Sequence, residues 1–258
     1  MSRFALITTV AATFLITAAN AVETFEDIFD DSYTLGSDGS ISIKNTDGSI
    51  RIYAADVDEV HVHALKRAYS AARLNDIEVV ANATANALTI ETRYPPKPSG
   101  FFADKSGTVD YTLIVPMRTR ITSCELSAGE LLIEGLEQGS AKAHLVNGWL
   151  GVHNCFVDTD VAISNGKLDL AYDWWQPEKS FRANASSVTG LVHASVAPEM
   201  SAAISAASER GKIANTLDDE NTGPAGTARS VEVSVGDARG VTMTLRSTDG
   251  NIRIDRSY

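Results

Sequence analysis

The chain has only two cysteines, Cys124 and Cys155, and neither belongs to a Cys-x-x-Cys pair. Thiol redox and zinc-ribbon chemistry therefore lack their usual spacing, and one Cys124–Cys155 disulfide in an exported protein is the use left open. After the first twenty or so residues no apolar run approaches the roughly 20 residues that a helix needs to cross a bilayer. No Lys/Arg run interrupts a net charge of −11, which disfavours nucleic acid and anionic lipid surfaces as partners. Gly-x-Ser-x-Gly, Walker-type and His-Glu-x-x-His patterns are all missing, so the commonest hydrolase, nucleotide and zinc-protease signatures are absent. What is present is enough apolar sequence for a core, at 44% hydrophobic against 21% charged residues.

The first residues read as an export signal. Arg3 precedes an almost wholly apolar stretch from Phe4 to Ala18, and Ala19-Asn20-Ala21 has the small-x-small form of a cleavage site. Residues 1–21 are expected to be removed, leaving Val22 to Tyr258 in the periplasm, or secreted to the cell surface, of a bacterium. No cysteine follows the site to take a lipid anchor.

Internal repetition is the strongest signal. A polar-Gly-x-aliphatic-x unit recurs at Gly48, Gly129, Gly148, Gly166, Gly190, Gly211 and Gly250, always with Ile, Leu or Val two residues after the glycine. From Gly129 to Gly211 the glycines lie 19, 18, 24 and 21 residues apart, and Gly211 to Gly250 is 39, near two periods. One turn and one period-2 strand about every 20 residues is what a single-stranded parallel β-helix, a β-solenoid, requires. The second and fourth residues after each glycine should then face inward and the first and third outward. An antiparallel β-sandwich is the alternative, because it also yields many short strands with turns between them.

Residues 22–116 are expected to form a β-rich cap, and residues 117–258 the coils. Strands are predicted at Ser40–Lys44, Ser49–Tyr53, Glu59–Ala64, Ile77–Ala81, Ala87–Thr92 and Val109–Val115. A short helix is predicted within the Ala-rich Leu65–Leu74, and a hairpin turn at Asn82–Asn86. Three insertions stand out: Tyr94–Gly107, with three prolines and Phe101-Phe102; Asp173–Glu178, with Trp174-Trp175; and the acidic, then Gly/Thr/Ala-rich, Leu217–Arg229.

Several segments together resemble a family of bacterial envelope proteins known as "putative adhesin" domains, of unknown function. They are Asp47-Gly48-Ser49-Ile50-Arg51-Ile52, Asp58-Glu59-Val60-His61-Val62, Leu113-Ile114-Val115-Pro116, the serial glycine units, and Thr248-Asp249-Gly250-Asn251-Ile252-Arg253-Ile254. The resemblance covers nearly the whole mature chain. It implies a β-helical envelope protein and transfers no catalytic residue.

Chemistry-bearing residues have simple structural readings. His61 and His63 share one strand face, which is read as solvated, so no metal is assigned. Asp158 and Asp160 flank Thr159 on one side of a strand. Such pairs serve polysaccharide-cleaving enzymes, but they are also ordinary for an acidic surface. Third residues after the glycines give Arg51, Leu132, Gly151, Asp169, His193, Ala214 and Arg253 in sequence order, too mixed for a charged cleft. Trp174, Trp175 and Tyr172, with Phe101 and Phe102, are the candidate recognition surface, because aromatic faces stack on sugar rings and apolar ligands. The expectation is a non-enzymatic, cofactor-free envelope module that binds a polysaccharide or a protein. The alternatives are a polysaccharide lyase or hydrolase and a structural or stress-regulatory envelope component.

Overall fold

A computed structural model describes residues 24–96, 99–100, 104–217 and 229–257. The leader, Phe101 and Phe102, and most of the Leu217–Arg229 insertion lie outside the described residues.

Alternation along the chain makes strands, and the repeat glycines bend them. In β2 (Ser40–Ala55), Ile41, Ile43 and Asn45 are buried before Gly48, and Ile50 and Ile52 after it. The inward phase thus shifts at the corner while the strand continues through it. The same arms recur in β7 (Arg120–Glu134), β8 (Ser140–His153), β9 (Asp158–Ala171), β10 (Phe181–Val196) and β14 (Val241–Arg256). Second and fourth residues after the glycine are buried in all six strands. The arms before the glycine bury positions three and five residues back, where Ala143 and Ala185 carry little apolar signal.

These six strands pair in parallel, with Gly48, Gly129, Gly148, Gly166, Gly190 and Gly250 in one register. Gly148 and Gly166 have φ of 135° and 132°, a region L-residues rarely enter. A Cβ on either would also overlap the carbonyl oxygen of the glycine in the adjoining strand. Space and backbone therefore demand the same residue.

Among the described residues fourteen strands form one mixed, open sheet. The described residues are all-β apart from α1 (Ala71–Asn75). Antiparallel pairing is confined to the ends of the sheet. At one end β3 (Glu59–Ala68) lies between β1 (Phe25–Thr34) and β6 (Thr108–Pro116), antiparallel to both, and β4 (Glu78–Ala83) pairs with β5 (Ala87–Arg93). At the other, β13 (Ser230–Val235) pairs with β11 (Ala202–Ser208).

Strand order departs from chain order in two places. The early strand β2 lies between β6 and β7, and the last strand, β14, lies between β10 and β11. Outside each inserted strand is a split layer. The two arms of β2 meet β5 and β6, and those of β14 meet β11 and β12 (Ile213–Asn215). The Gly211 and Gly250 units therefore stack in the reverse of their sequence order. Thr46–Ile52 and Thr248–Ile254, the segments on the two inserted strands, differ only at Ser49 and Asn251.

Helix α1 is shorter and later than the Ala-rich segment suggested. Residues Leu65 to Arg67 stay in β3 because they are paired on both sides, Leu65 with Ile28 and Asp110. The helix starts only where the Ser70 hydroxyl accepts the Arg73 N–H at 3.3 Å. The β4–β5 hairpin turns through Thr84–Asn86, with Thr84 Oγ1 accepting the Ala87 N–H at 3.1 Å.

One apolar core runs from Leu35 to Ile254. Three residues before the glycine its lining changes from Leu126, Leu145 and Ile163 to Ser187, Ser247 and Ser208. Ser208 donates to the Gly250 carbonyl at 2.8 Å, whereas the Ser187 and Ser247 hydroxyls are buried without a partner among the described residues. Cys124 and Cys155 are both buried free thiols, so the disulfide left open above is not formed. Cys155 donates instead to the His153 carbonyl at 3.4 Å, and burial pushes its pKa up to about 12.

Replacing Gly148 or Gly166 with Val should cost at least about 1–3 kcal/mol from backbone strain alone. Urea unfolding should show a lower midpoint for each variant, and unchanged midpoints for both would contradict the stacked-corner geometry.

Candidate binding face

Beyond the glycine corners, outward side chains of adjoining strands stand side by side. In strand order the third residues after the glycines read Arg51, Leu132, Gly151, Asp169, His193, Arg253 and Ala214. The insertion of β14 brings Arg253 next to His193. This corrects the sequence-order column, and it assembles a cluster that the sequence reading missed.

His193 lies between two carboxylates, with Nδ1 2.7 Å from Asp169 and Nε2 2.9 Å from Asp255. Lys167 donates to Asp169 at 2.9 Å, and Arg253 donates to Asp255 at 2.6 Å. The chain of charges ties β9, β10 and β14 together. The hydrogen bond to Asp169 raises the His193 pKa against the opposing effect of burial, and Asp255 adds to the rise. Burial alone would raise the Asp169 carboxyl, but hydrogen bonds from His193 and Lys167 outweigh it and hold its pKa at about 2. With both ring nitrogens engaged by carboxylates, His193 has none turned toward a substrate. The cluster is a clamp between strands. In-register stacking of Gly166, Gly190 and Gly250 is the signal that could have revealed it.

Farther along the same face Arg51 donates to Glu130 at 2.7 Å, and Arg67 bridges Glu26 and Asp110 at 2.8 and 2.5 Å. His61 and His63 share the exposed face of β3, each with a partner in β1: the Ser32 hydroxyl at 2.8 Å and the Asp30 carboxylate at 3.2 Å. Asp158 and Asp160 lie on one exposed face of β9, and Asp158 accepts the Arg182 N–H at 2.9 Å.

The aromatic candidates divide. Tyr172 is fully buried, so it is a core residue and not part of a recognition surface. Its sequence position beside the two tryptophans concealed that it continues the inward row of Leu168 and Leu170 just past β9, against Phe156. Trp174 packs edge-on against Phe156 at 4.6 Å between ring centroids, yet 41% of it stays exposed. Trp175 is half-buried against Phe156 and Phe181. Phe156 holds this cluster together, and nothing in the local sequence marked it.

No protein-family model matches the chain, and no curated protein matches it either. Solved structures do. A "putative cell adhesion protein" from Clostridium sporogenes aligns over 91% of this chain and 100% of its own, at 13% identity and a TM-score of 0.51. A "Putative lipid binding protein" from Parabacteroides distasonis aligns over 90% and 97%, at 7% identity and a TM-score of 0.34. A "putative adhesin" from Bacteroides fragilis aligns over 89% and 97%, at 12% identity and a TM-score of 0.25. The first likeness is one of fold. Among the described residues no helix is long and apolar enough to cross a membrane.

The clamp makes stability depend on pH. With its folded pKa raised, His193 contributes fully below its unfolded value of 6.5 and loses that contribution as pH rises through the folded value. Asp169 contributes above 3.8 and loses its share as pH falls toward 2. His193→Ala should cost roughly 1–3 kcal/mol at pH 5.5, with the difference from wild type shrinking by pH 9. Urea melts at both pH values check this, and a pH-independent difference would contradict it.

Proposed function

We propose that this chain is an exported, non-enzymatic binding module of the bacterial envelope, adhesin-like, whose parallel strands wind as the coils of a β-solenoid. In this reading residues 1–21 direct export, residues 22–116 supply the capping end, and residues 117–258 supply most of the coils. The observation that carries it is the continuous outward face. Six strands in one register present charged and aromatic side chains in rows, and the His193 cluster among them is spent on joining strands. The fold shared with the "putative cell adhesion protein" of Clostridium sporogenes supports a binding role, as does the resemblance in the turn-Gly-strand segments. The partner is a surface polysaccharide or protein, and Trp174, exposed beside Trp175 on the flank of the coils, forms one of the contacts. Phe101 and Phe102 in the proline-rich insertion form a second apolar contact.

The test is retention of the mature chain on bacterial envelope fractions and on arrayed glycans and envelope proteins. Wild type should be retained, and the Trp174→Ala, Trp175→Ala double variant should bind about tenfold more weakly while keeping its strand circular dichroism. Equal retention of the two proteins removes the tryptophan contact, and no retention of wild type on any surface overturns the binding reading.

A further inference from the structure

The rows on the outward face contain one place where a side chain is missing and an aromatic ring occupies the room. Gly151, three residues after the Gly148 corner, is buried although it belongs to the outward set. A Cβ there would come 2.5 Å from Cη2 and 2.7 Å from Cζ2 of Trp149. The indole therefore leans along β8, with its six-membered ring over the Gly151 backbone. Leu132 of the adjoining strand closes on the same space, its Cδ1 3.1 Å from that Cβ position. Beyond Gly151, His153 meets the indole edge-on, with centroids 5.8 Å apart and the planes at 74°. Any other residue at 151 would lift the ring off the strand. Trp149 itself remains partly exposed, so the ring seated on Gly151 still reaches solvent.

Its lateral neighbours are polar and held still. Trp149 pairs with Glu130 on one side and Lys167 on the other. Glu130 is bound by Arg51 at 2.7 Å, and Lys167 is bound by Asp169, which the His193 clamp fixes in turn. Strands about 4.8 Å apart place the backbones of these two residues on either side of Trp149. The result is a fixed aromatic surface bordered by fixed hydrogen-bonding groups of both charge signs. Such a surface suits a ligand that is apolar on one face and hydroxylated at its rim, and it costs little ordering on binding. Paired charges of opposite sign in a chain of net charge −11 give no attraction for a polyanion.

We propose that Trp149, seated on Gly151, is a stacking platform for a pyranose ring of a neutral polysaccharide, with Glu130 and Lys167 bonding its hydroxyls. This deepens the binding role argued above and rests on it.

The experiment is affinity electrophoresis of the mature chain in native gels containing laminarin, dextran, galactomannan or hydroxyethylcellulose, with alginate as the anionic control. Wild type should be retarded by at least one neutral polymer and not by alginate. Trp149→Ala and Gly151→Val, which removes the seat but keeps the ring, should each lose about tenfold in affinity, while Trp149→Phe keeps part of it. Thermal melts show whether each variant folds. If a variant fails to fold, quenching of Trp149 fluorescence by the retarding polymer, in a Trp174→Phe, Trp175→Phe background, provides the readout. Retardation unaffected by Trp149→Ala, retardation by alginate alone, or an unquenched Trp149 overturns the platform. If no neutral polymer retards the protein while envelope fractions still retain it, the platform falls and the binding role stands. If neither retains it, both fall.

Discussion

Every feature of the outward face depends on glycine corners stacking one on another through a continuous parallel ladder. A residue with a side chain at Gly148 would need a strained φ and would strike the Gly129 carbonyl, so this corner can close only with glycine at 148. Once closed, it fixes the register of both arms. Residues far apart in sequence become lateral neighbours, and the core and the face follow from the same alignment.

The clamp and the aromatic seat are two consequences of that register. Asp169, His193 and Asp255 sit on three adjoining strands, and none is a sequence neighbour of another. Their mutual bonds tie the inserted strand β14 to the parallel strands before it, so β14 is held by charge as well as by backbone pairing. Trp149 and Gly151 show the local version. One outward position is vacated so that its neighbour's ring can lie along the strand.

Much of this was legible in the sequence, and the limits are physical. Glycine followed by aliphatics at the second and fourth positions marks the arm after the corner, because those residues must be inward and cannot be polar. The arm before it was hidden, since Ala143, Thr159, Ala183 and Ser187 are buried but carry no strong apolar signal. Strand order was hidden too. Pairing is nonlocal, and nothing within Thr248–Ile254 says that it inserts between β10 and β11, although its near identity to Thr46–Ile52 marks both inserted strands. Listing the outward column in chain order separated Arg253 from His193 and made the face look unpatterned. Reading the aromatics by sequence proximity placed the buried Tyr172 with the exposed Trp174 and passed over Phe156.

The stacking order is most directly tested by cross-linking at the corners, in a background with Cys124 and Cys155 replaced by Ala. Thr189 and Asp249 are direct partners across β10 and β14, whereas Arg210 belongs to the layer beyond β14. Cysteines at 189 and 249 should form a disulfide rapidly under mild oxidation, because parallel partners lie within bridging range. Cysteines at 189 and 210 should not. Rapid bridging of 189 to 210 with none between 189 and 249 would contradict the inserted strand and the face built on it.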